Sequence, residues 1–172
     1  MATIAVIDYD MGNLHSACKG LEKAGGKPQV TDSPQVIANA DAVVLPGVGS
    51  FDPAVQHIRS RNLEIPIKKA IASGKPFLGI CLGLQILFDS SEEGKEPGLG
   101  IISGKVRRFR SEPEITIPHM GWNQLELVQP DLFLWQELQS NPYVYFVHSY
   151  YVEPTNLEVS SAMVTHGSQK VT

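Results

Sequence analysis

The segment Gly79–Gly83 (GICLG) carries the residue types and spacing of a covalent catalyst. It has the form glycine, any residue, nucleophile, any residue, glycine, which is typical of a nucleophile elbow with Cys81 in the place of serine. In such an elbow a strand turns sharply into a helix, and N–H groups at the helix start favour a thiolate and bind an oxyanion. The alternative is a small buried cysteine that packs like alanine. Because glycine on each side removes Cβ atoms that would clash in the turn, we predict that Cys81 is the nucleophile.

The loop Pro46–Ser50 (PGVGS) is the second candidate for chemistry. Two glycines around one residue, just past a strand's carboxyl end, form a loop whose N–H groups can face a bound anion. The loop lacks the third glycine of a dinucleotide fingerprint and the Lys-Ser/Thr of a phosphate loop, so no nucleotide site is predicted. Taken alone it would be an ordinary strand-to-helix turn. Beside a nucleophile elbow it is a candidate oxyanion loop.

Alternating strands and helices in the first half of the chain must position these two segments. Continuous apolar runs predict buried parallel strands, and apolar residues at i, i+3, i+4 and i+7 predict amphipathic helices between them. Cys18 lies on the apolar face of the first helix, so we expect it to pack in the core. The predicted strands are Thr3–Asp8, Val30–Thr31, Ala42–Leu45 and Pro76–Ile80. The predicted helices contain Leu14–Leu21, begin near Ser33-Pro34 and Asp52-Pro53, and contain Ile67–Ile71 before Gly74.

From about Ser90 the pattern changes to one dominated by strands. An alternating half followed by a strand-rich half predicts an α/β fold, with a mostly parallel central sheet and added antiparallel strands. We expect residues 1–172 to form a single domain. The predicted strands of this half are Ile101–Phe109, Ile115–Val128, Tyr143–Val152 and Leu157–Thr165, with a short helix at Asp131–Gln139.

The composition excludes several classes of protein. Apolar residues make up 42% of the 172 residues and charged residues 19%, which excludes an intrinsically disordered chain. A formal net charge of −4 argues against a nucleic-acid or anionic-membrane binder. Two cysteines are too few for a disulfide framework or a zinc cluster. No apolar run reaches the ~20 residues of a membrane span, so we expect a soluble cytoplasmic domain without metal or cofactor.

Several separated motifs, taken in order, resemble the class I (triad) glutamine amidotransferases. Pro46–Gly49 (PGVG) and Gly79–Gln85 (GICLGLQ) carry the family resemblance. Pro118–Asn123 (PHMGWN), Tyr145–Tyr150 (YFVHSY) and Asp8–Leu14 (DYDMGNL) resemble, within that family, the glutaminase subunits of imidazole glycerol phosphate synthase. The resemblance runs from residue 3 to about residue 165. It implies the three-layer, flavodoxin-like fold of the class I glutamine amidotransferases.

The resemblance also implies an activity and a set of site residues. Cys81 would attack the side-chain amide of glutamine, giving a thioester and ammonia, and water would then release glutamate. The oxyanion hole and the glutamine site would be formed by Gly47, Val48, Gly49, Leu82, Gln85, Val147, Ser149 and Tyr150. Asn13, Trp122 and Tyr145 would lie around the mouth through which ammonia passes to the partner. The partner would be a cyclase subunit with a (β/α)8 barrel, and the heterodimer would form imidazole glycerol phosphate and aminoimidazole carboxamide ribotide (AICAR) in histidine biosynthesis.

His148 is the tempting general base, because it is a histidine flanked by aromatic residues in a strand. The alternative is a structural histidine, and the resemblance favours it, since that family carries its base in a His-Pro-Glu segment after the last strand. No histidine in this sequence has an acid two residues further on. We therefore expect the strand and helix with the catalytic His and Glu to be missing after Thr172, and the 172-residue chain not to turn over glutamine. A glutaminase of a different synthase and a non-catalytic binding subunit remain alternatives.

Overall fold

The computed structural model describes residues 1–138 and 141–172. Its first half contains a four-stranded sheet formed by β1 (Thr3–Ile7), β2 (Lys27–Thr31), β3 (Ala42–Gly47) and β4 (Phe77–Cys81). The strand order is β2-β1-β3-β4 and every neighbouring pair is parallel. The predicted parallel sheet is therefore confirmed. Its carboxyl edge, where parallel α/β sheets place their ligands, is the edge that holds the Pro46 loop and Cys81.

Five α-helices accompany the sheet: α1 (Leu14–Lys23), α2 (Pro34–Asn39), α3 (Phe51–Ser60), α4 (Glu64–Ala72) and α5 (Leu82–Gln85). The Asn13 side chain caps α1 by accepting a hydrogen bond from the N–H of Ser16 at 3.0 Å. Pro34 occupies the first turn of α2, where its missing N–H is not needed. Cys18 is half-buried rather than part of the core, because α1 buries none of its residues completely.

The described part of the second half contains eight further strands in three small sheets. They are β5 (Phe88–Ser91), β6 (Ile102–Arg108), β7 (His119–Gln124), β8 (Glu126–Leu127), β9 (Tyr143–His148), β10 (Tyr150–Pro154), β11 (Ala162–His166) and β12 (Gln169–Val171). The sheet orders are β10-β6-β5, β12-β11-β8 and β7-β9. All of their pairs are antiparallel except β5 with β6, which confirms the predicted antiparallel extension.

The long strands predicted in this half are divided in the structure. The run Tyr143–Val152 breaks at Ser149, because β9 pairs with β7 whereas β10 pairs with β6 in a different sheet. The run Ile115–Val128 begins as a strand only at His119, after Pro118, which cannot donate to a ladder. Likewise, the start of the run Leu157–Thr165 is a 3-10 turn, and its strand begins only at Ala162.

The helix predicted at Asp131–Gln139 is wrong. The structure has a single 3-10 turn at Phe133–Trp135, and Gln139 lies outside the described residues. Phe133 and Leu134 are exposed, so this segment has no buried apolar face of the kind that stabilises a helix in a folded protein.

The main hydrophobic core lies against the parallel sheet and is built from β1, β3, α3, α4 and the segment after α5. Its largest fully buried side chains include Tyr9, Phe51, Leu45 and Ile58. Each buried aliphatic or aromatic side chain of this size stabilises the fold by roughly 1.5–3 kcal/mol. A second, smaller core formed by Phe109, Val164 and Val171 holds the strand-rich half together. Within the described residues, no helix has the length and apolar character needed to cross a membrane.

Candidate active site

Cys81 stands at a sharp turn between β4 and α5. It is the last residue of the strand and the N-cap of the helix, with φ 54° and ψ −114°. A positive φ is uncommon for a residue other than glycine and marks backbone strain, which clusters at functional sites. The turn leaves Cys81 exposed while the residues that follow it, Leu82 and Gly83, are buried. This is the geometry that the glycine–cysteine–glycine spacing predicts.

Three glycines allow the backbones to approach closely around this turn. A Cβ atom on Gly83 would overlap the carbonyl oxygen of Leu45 in β3. A Cβ on Gly79 would lie 2.8 Å from the Cα of Leu84, and one on Gly47 would lie 2.7 Å from the backbone nitrogen of Gly83. Since Cβ atoms do not approach backbone atoms this closely, glycine is required where α5 packs against β3 and β4.

The predicted oxyanion loop lies directly beside the nucleophile. Gly47 is the register partner of Cys81 between β3 and β4. The next two residues, Val48 and Gly49, are exposed, and Gly49 has φ 117°, a conformation that favours glycine. Val48, Gly49 and Leu82 all line one cavity with Cys81. The elements therefore bring the Gly47–Gly49 loop and the start of α5 to the same cavity as the thiol.

The electrostatic environment of the thiol differs from the simple expectation for a helix N-terminus. Burial by the surrounding protein raises the pKa of the Cys81 thiol above its usual value, and the N–H of Leu82 lowers this pKa by a smaller amount. The nearby Glu93 carboxylate raises the pKa further. Because α5 has only four residues, its dipole is too small to outweigh the desolvation. Burial therefore favours the protonated thiol over the thiolate.

Two adjoining cavities meet at Cys81. One of about 360 Å³ is lined by most of the residues that the family resemblance assigns to the site: Val48, Gly49, Cys81, Leu82, Gln85, Val147, Ser149 and Tyr150. The other, of about 420 Å³, shares Cys81 and Gln85 and extends along β9 to Tyr145. A third cavity of about 600 Å³ lies between α2 and α4 and contains no residue of the elbow. Only the first two adjoin the thiol, so we place the candidate site there.

Gln85 is buried one turn after the nucleophile, where its side chain has a defined partner. Its Nε2 donates to the carbonyl oxygen of Tyr150 at 3.2 Å. This bond joins α5 to the first residue of β10, which is 65 positions away in the chain. Gln85 is thus a fixed part of the cavity wall rather than a solvated helix residue.

Glu93 is a cavity residue that sequence reasoning missed. Its carboxylate accepts a hydrogen bond from the N–H of Phe51 at 2.9 Å, at the start of α3. Asp52 in turn accepts hydrogen bonds from the backbone N–H groups of Lys95 and Glu96. These exchanges hold the loop after β5 against α3. The only signal in the sequence is an acid in a polar, glycine-containing loop, which is too common to identify a site.

The residues expected at the partner face lie in two places, the β7–β9 sheet and the start of α1. Trp122 and Tyr145 are cross-strand partners in the β7–β9 sheet, with ring centroids 5.7 Å apart and the rings nearly perpendicular. Trp122 is 71% exposed and Tyr145 is 55% exposed, so their pair forms an aromatic surface. Asn13 is exposed at the start of α1. It follows Gly12, where an added Cβ atom would lie 3.4 Å from the backbone of Pro46.

His148 lines both cavities, but each of its ring nitrogens has a partner within the protein. Nδ1 lies 2.9 Å from the carbonyl oxygen of Tyr150, and Nε2 lies 3.0 Å from Nδ1 of His119. A base for the thiol of Cys81 needs a free nitrogen lone pair, so these contacts favour a structural role. Among residues 1–138 and 141–172, no group of three or more metal-binding side chains is arranged around a common centre.

Comparisons with known proteins match this chain over nearly its full length. The family model described as glutamine amidotransferase class-I matches residues 5–171. Imidazole glycerol phosphate synthase subunit HisH from Gloeothece citriformis is 77% identical over 172 residues, which are 100% of this chain and 82% of that protein. The HisH subunit from Trichodesmium erythraeum is 73% identical over all of this chain and 80% of its own length.

A solved structure supports the fold independently of close sequence similarity. A chain in the structure of PurLQS from Thermotoga maritima superposes with a TM-score of 0.71 at 19% identity, covering 96% of this chain and 76% of that one. This likeness concerns the fold alone. The family match over residues 5–171 and the high identity to the HisH subunits show that the chain belongs to the class-I glutamine amidotransferases.

Proposed function

We propose that this chain is the glutaminase subunit of an imidazole glycerol phosphate synthase, with Cys81 as its nucleophile. The observation that carries the proposal is the strained turn at Cys81, which exposes a thiol beside the Gly47–Gly49 loop and a cavity large enough for an amino acid. The relatives that share 77% and 73% identity are HisH subunits of that synthase. They favour this reading over a glutaminase of another synthase and over a non-catalytic subunit.

The proposed chemistry is the hydrolysis of glutamine to glutamate and ammonia. The Cys81 sulfur forms a bond to the side-chain carbonyl carbon, the carbon–nitrogen bond breaks, and the nitrogen leaves as ammonia with the thiol proton. Water then attacks the thioester, restoring the thiol and releasing glutamate. The negative oxygen of each tetrahedral intermediate would be bound by N–H groups of the Gly47–Gly49 loop and of Leu82. The expected His-Pro-Glu segment stays a prediction.

The glutamine side chain would enter the cavity of about 360 Å³. Gln85, Val147, Ser149 and Tyr150 would contact its α-amino and α-carboxylate groups, largely through backbone atoms of the last three residues. Support for this comes from the placement of all four in the same cavity wall as Cys81.

The partner would be the cyclase subunit, a (β/α)8 barrel, bound at the face that carries Trp122 and Tyr145. Ammonia is largely protonated in water at neutral pH and ammonium is not a nucleophile, so a sealed passage between the subunits would serve the reaction. The exposed aromatic pair supports this proposal, since tryptophan and tyrosine are enriched in the energetically dominant parts of interfaces. The cytoplasmic location and the absence of a cofactor stay predictions.

Labelling by a diazo-ketone analogue of glutamine tests the proposal. We expect the analogue to alkylate Cys81 and to spare Cys18, which mass spectrometry of the digested protein would show. Excess glutamine should protect Cys81 because both molecules compete for one site. Cys18→Ser is the matched control and should be labelled like the original chain. Labelling at an unchanged rate in Cys81→Ser, or labelling that glutamine does not slow, would contradict the proposal.

A further inference from the structure

The carbonyl oxygen of Tyr150 is a junction between the nucleophile helix and the β7–β9 sheet. It accepts one hydrogen bond from Nε2 of Gln85 at 3.2 Å and another from Nδ1 of His148 at 2.9 Å. A carbonyl oxygen has two lone pairs, so both of its acceptor positions are used. The orientation of this one peptide group therefore depends on a side chain from α5 and a side chain from β9.

These partners determine the tautomer of His148. A carbonyl oxygen only accepts hydrogen bonds, so Nδ1 of His148 carries the proton and its Nε2 is an acceptor. Nδ1 of His119, 3.0 Å away, must then be the donor to that Nε2. Nε2 of His119 is left as an acceptor, and it receives the side-chain amide of Asn123 at 3.2 Å. One directed chain of hydrogen bonds runs from Asn123 in β7 through both imidazoles to Tyr150.

Packing fixes the two imidazole rings in this arrangement. The His119 ring lies between Phe146, at a centroid distance of 4.6 Å, and His166, at 4.2 Å, both nearly parallel to it. Phe109 contacts the His148 ring with its own ring nearly perpendicular and 5.1 Å away. His119 is only 5% exposed, and burial together with the neighbouring His166 and His148 lowers its pKa to about 4. The His119 ring is thus neutral at pH 7, and the neighbouring rings restrict the rotation of both imidazoles.

We propose that His148 is a positioning residue for Gln85, and that His119 and Asn123 hold His148 in the tautomer that this requires. Because Nε2 of Gln85 is bound to the Tyr150 carbonyl, its Oε1 is the atom left to accept a hydrogen bond from a ligand. The α-ammonium group of an amino acid is a donor that suits this oxygen. His148 therefore acts on ligand binding through Tyr150 and Gln85, without touching the reacting atoms. This inference rests on the proposed glutaminase function.

Two substitutions of His148 test the roles of its two ring nitrogens separately. His148→Asn keeps an amide nitrogen near the place of Nδ1, so it can still donate to Tyr150, whereas His148→Gln places its amide nitrogen near Nε2 and loses that donor. The probe is the diazo-ketone analogue of glutamine, whose alkylation of Cys81 yields an apparent binding constant and a maximal rate. The loss of one hydrogen bond in His148→Gln should weaken binding about five- to tenfold and change the maximal rate less than about twofold. His148→Asn should retain the binding constant of the original chain.

The outcomes distinguish the failure of this inference from the failure of the proposed function. If the original chain is not alkylated at Cys81, the proposed function fails. If it is alkylated and both His148 variants bind the analogue equally well, the positioning role is overturned. Should His148→Gln fail to fold by circular dichroism, nitrogen-15 NMR of the original chain gives the answer. A proton on Nδ1 of His148 supports the inference, and a proton on Nε2 alone overturns it.

Discussion

The two halves of the molecule hold their parts of the site by different means. The nucleophile side, β3, β4 and α5, is held by backbone contacts: a parallel ladder pairs Gly47 with Cys81, and Gly83 lies against Leu45. The ligand side, β7, β9 and β10, has backbone ladders of its own but depends in addition on side chains: Gln85 and His148 both bind the carbonyl oxygen of Tyr150, and His148 also contacts His119. Backbone contacts tolerate no added atoms, whereas side-chain contacts respond to protonation and to conservative substitution.

The nucleophile side of the site is therefore rigid, whereas the ligand side can be adjusted. The thiol must stand at a fixed point, and a buried sheet with close-packed glycines provides that. The ligand side must fit a small molecule and a partner protein, and a small two-stranded sheet with an exposed face is suited to that task.

The largest expected effect comes from adding one methyl group at Gly83. In Gly83→Ala the new Cβ would overlap the carbonyl oxygen of Leu45, so α5 must separate from β3. We expect a loss of at least about 3 kcal/mol in the free energy of unfolding, and loss of Cys81 alkylation, because overpacking against backbone cannot relax. Urea denaturation measures the effect. Gly20→Ala is the matched control, since a Cβ there meets nothing within 4 Å in the middle of α1 and should stabilise by roughly 0.5–1 kcal/mol.

A slightly smaller loss of stability is expected at Asp52, which joins α3 to the loop after β5. Its carboxylate accepts hydrogen bonds from the N–H groups of Lys95 and Glu96, at 2.9 Å each. Asp52→Ala leaves these donors unpaired, so the free energy of unfolding should fall by about 2 kcal/mol. The exposed Asp32, which lies 3.5 Å from Arg61, is a control, and Asp32→Ala should change stability by less than about 1 kcal/mol. Equal effects of the two substitutions would contradict this prediction.

The side-chain network should make the ligand half sensitive to acid. The pKa of His119 is lowered to about 4 in the folded protein, mainly by burial, from its usual value of 6.5. Between these two values the unfolded chain binds more protons than the folded one, so stability should fall as the pH falls from 6.5 towards 4. Below about pH 4 this residue should contribute no further change. Urea denaturation at a series of pH values measures the slope.

His119→Asn is the control for this pH dependence, because asparagine keeps a donor near Nδ1 and does not titrate. The variant should show a shallower slope in the same pH window. Part of the slope should remain, since burial also lowers the pKa of His148. An unchanged slope would show that His119 does not control the acid sensitivity.

The smallest effect on stability is expected at Trp122. Its ring is exposed and packs only edge-on with Tyr145, so Trp122→Ala should cost less than about 1 kcal/mol of stability. Binding to the proposed cyclase partner should nevertheless weaken about thirtyfold, as expected for an interface hot spot. Calorimetric titration with the partner measures this. Tyr143, exposed on the same strand as Tyr145, is a comparison position. Unchanged affinity in Trp122→Ala would contradict the proposal that the partner binds at this face.

The parts of the fold that the sequence predicts are those governed by local rules. Apolar runs identify β1, β3 and β4, and the glycines around Cys81 identify the elbow. Each of these signals is contained within a segment of a few residues. The division of the Tyr143–Val152 run between two sheets could not be predicted, since it depends on whether β6 or β7 is the partner. The same limit applies to β5 and to the helix wrongly predicted after Asp131.

The side-chain contacts of the site were the least accessible to sequence reasoning. Glu93 binds the N–H of Phe51 across 42 positions, and His119 contacts His148 across 29. No local pattern encodes such pairs. The expectation that the histidine in the YFVHSY stretch is structural rather than catalytic comes only from the family resemblance. The structure gives the physical reason, which is that both ring nitrogens already have partners.

At Cys81, the positive φ lowers the stability of the fold, while the reaction requires the thiol at this position. A residue other than glycine in this conformation costs of order 1–3 kcal/mol, while most domains are stable by only ~5–15 kcal/mol. Glycine at this position would relieve the strain and erase the thiol in the same step. A lineage that no longer needed ammonia from glutamine would therefore gain stability by losing its cysteine. Cysteine in this turn is therefore a residue whose chemistry comes at the expense of stability.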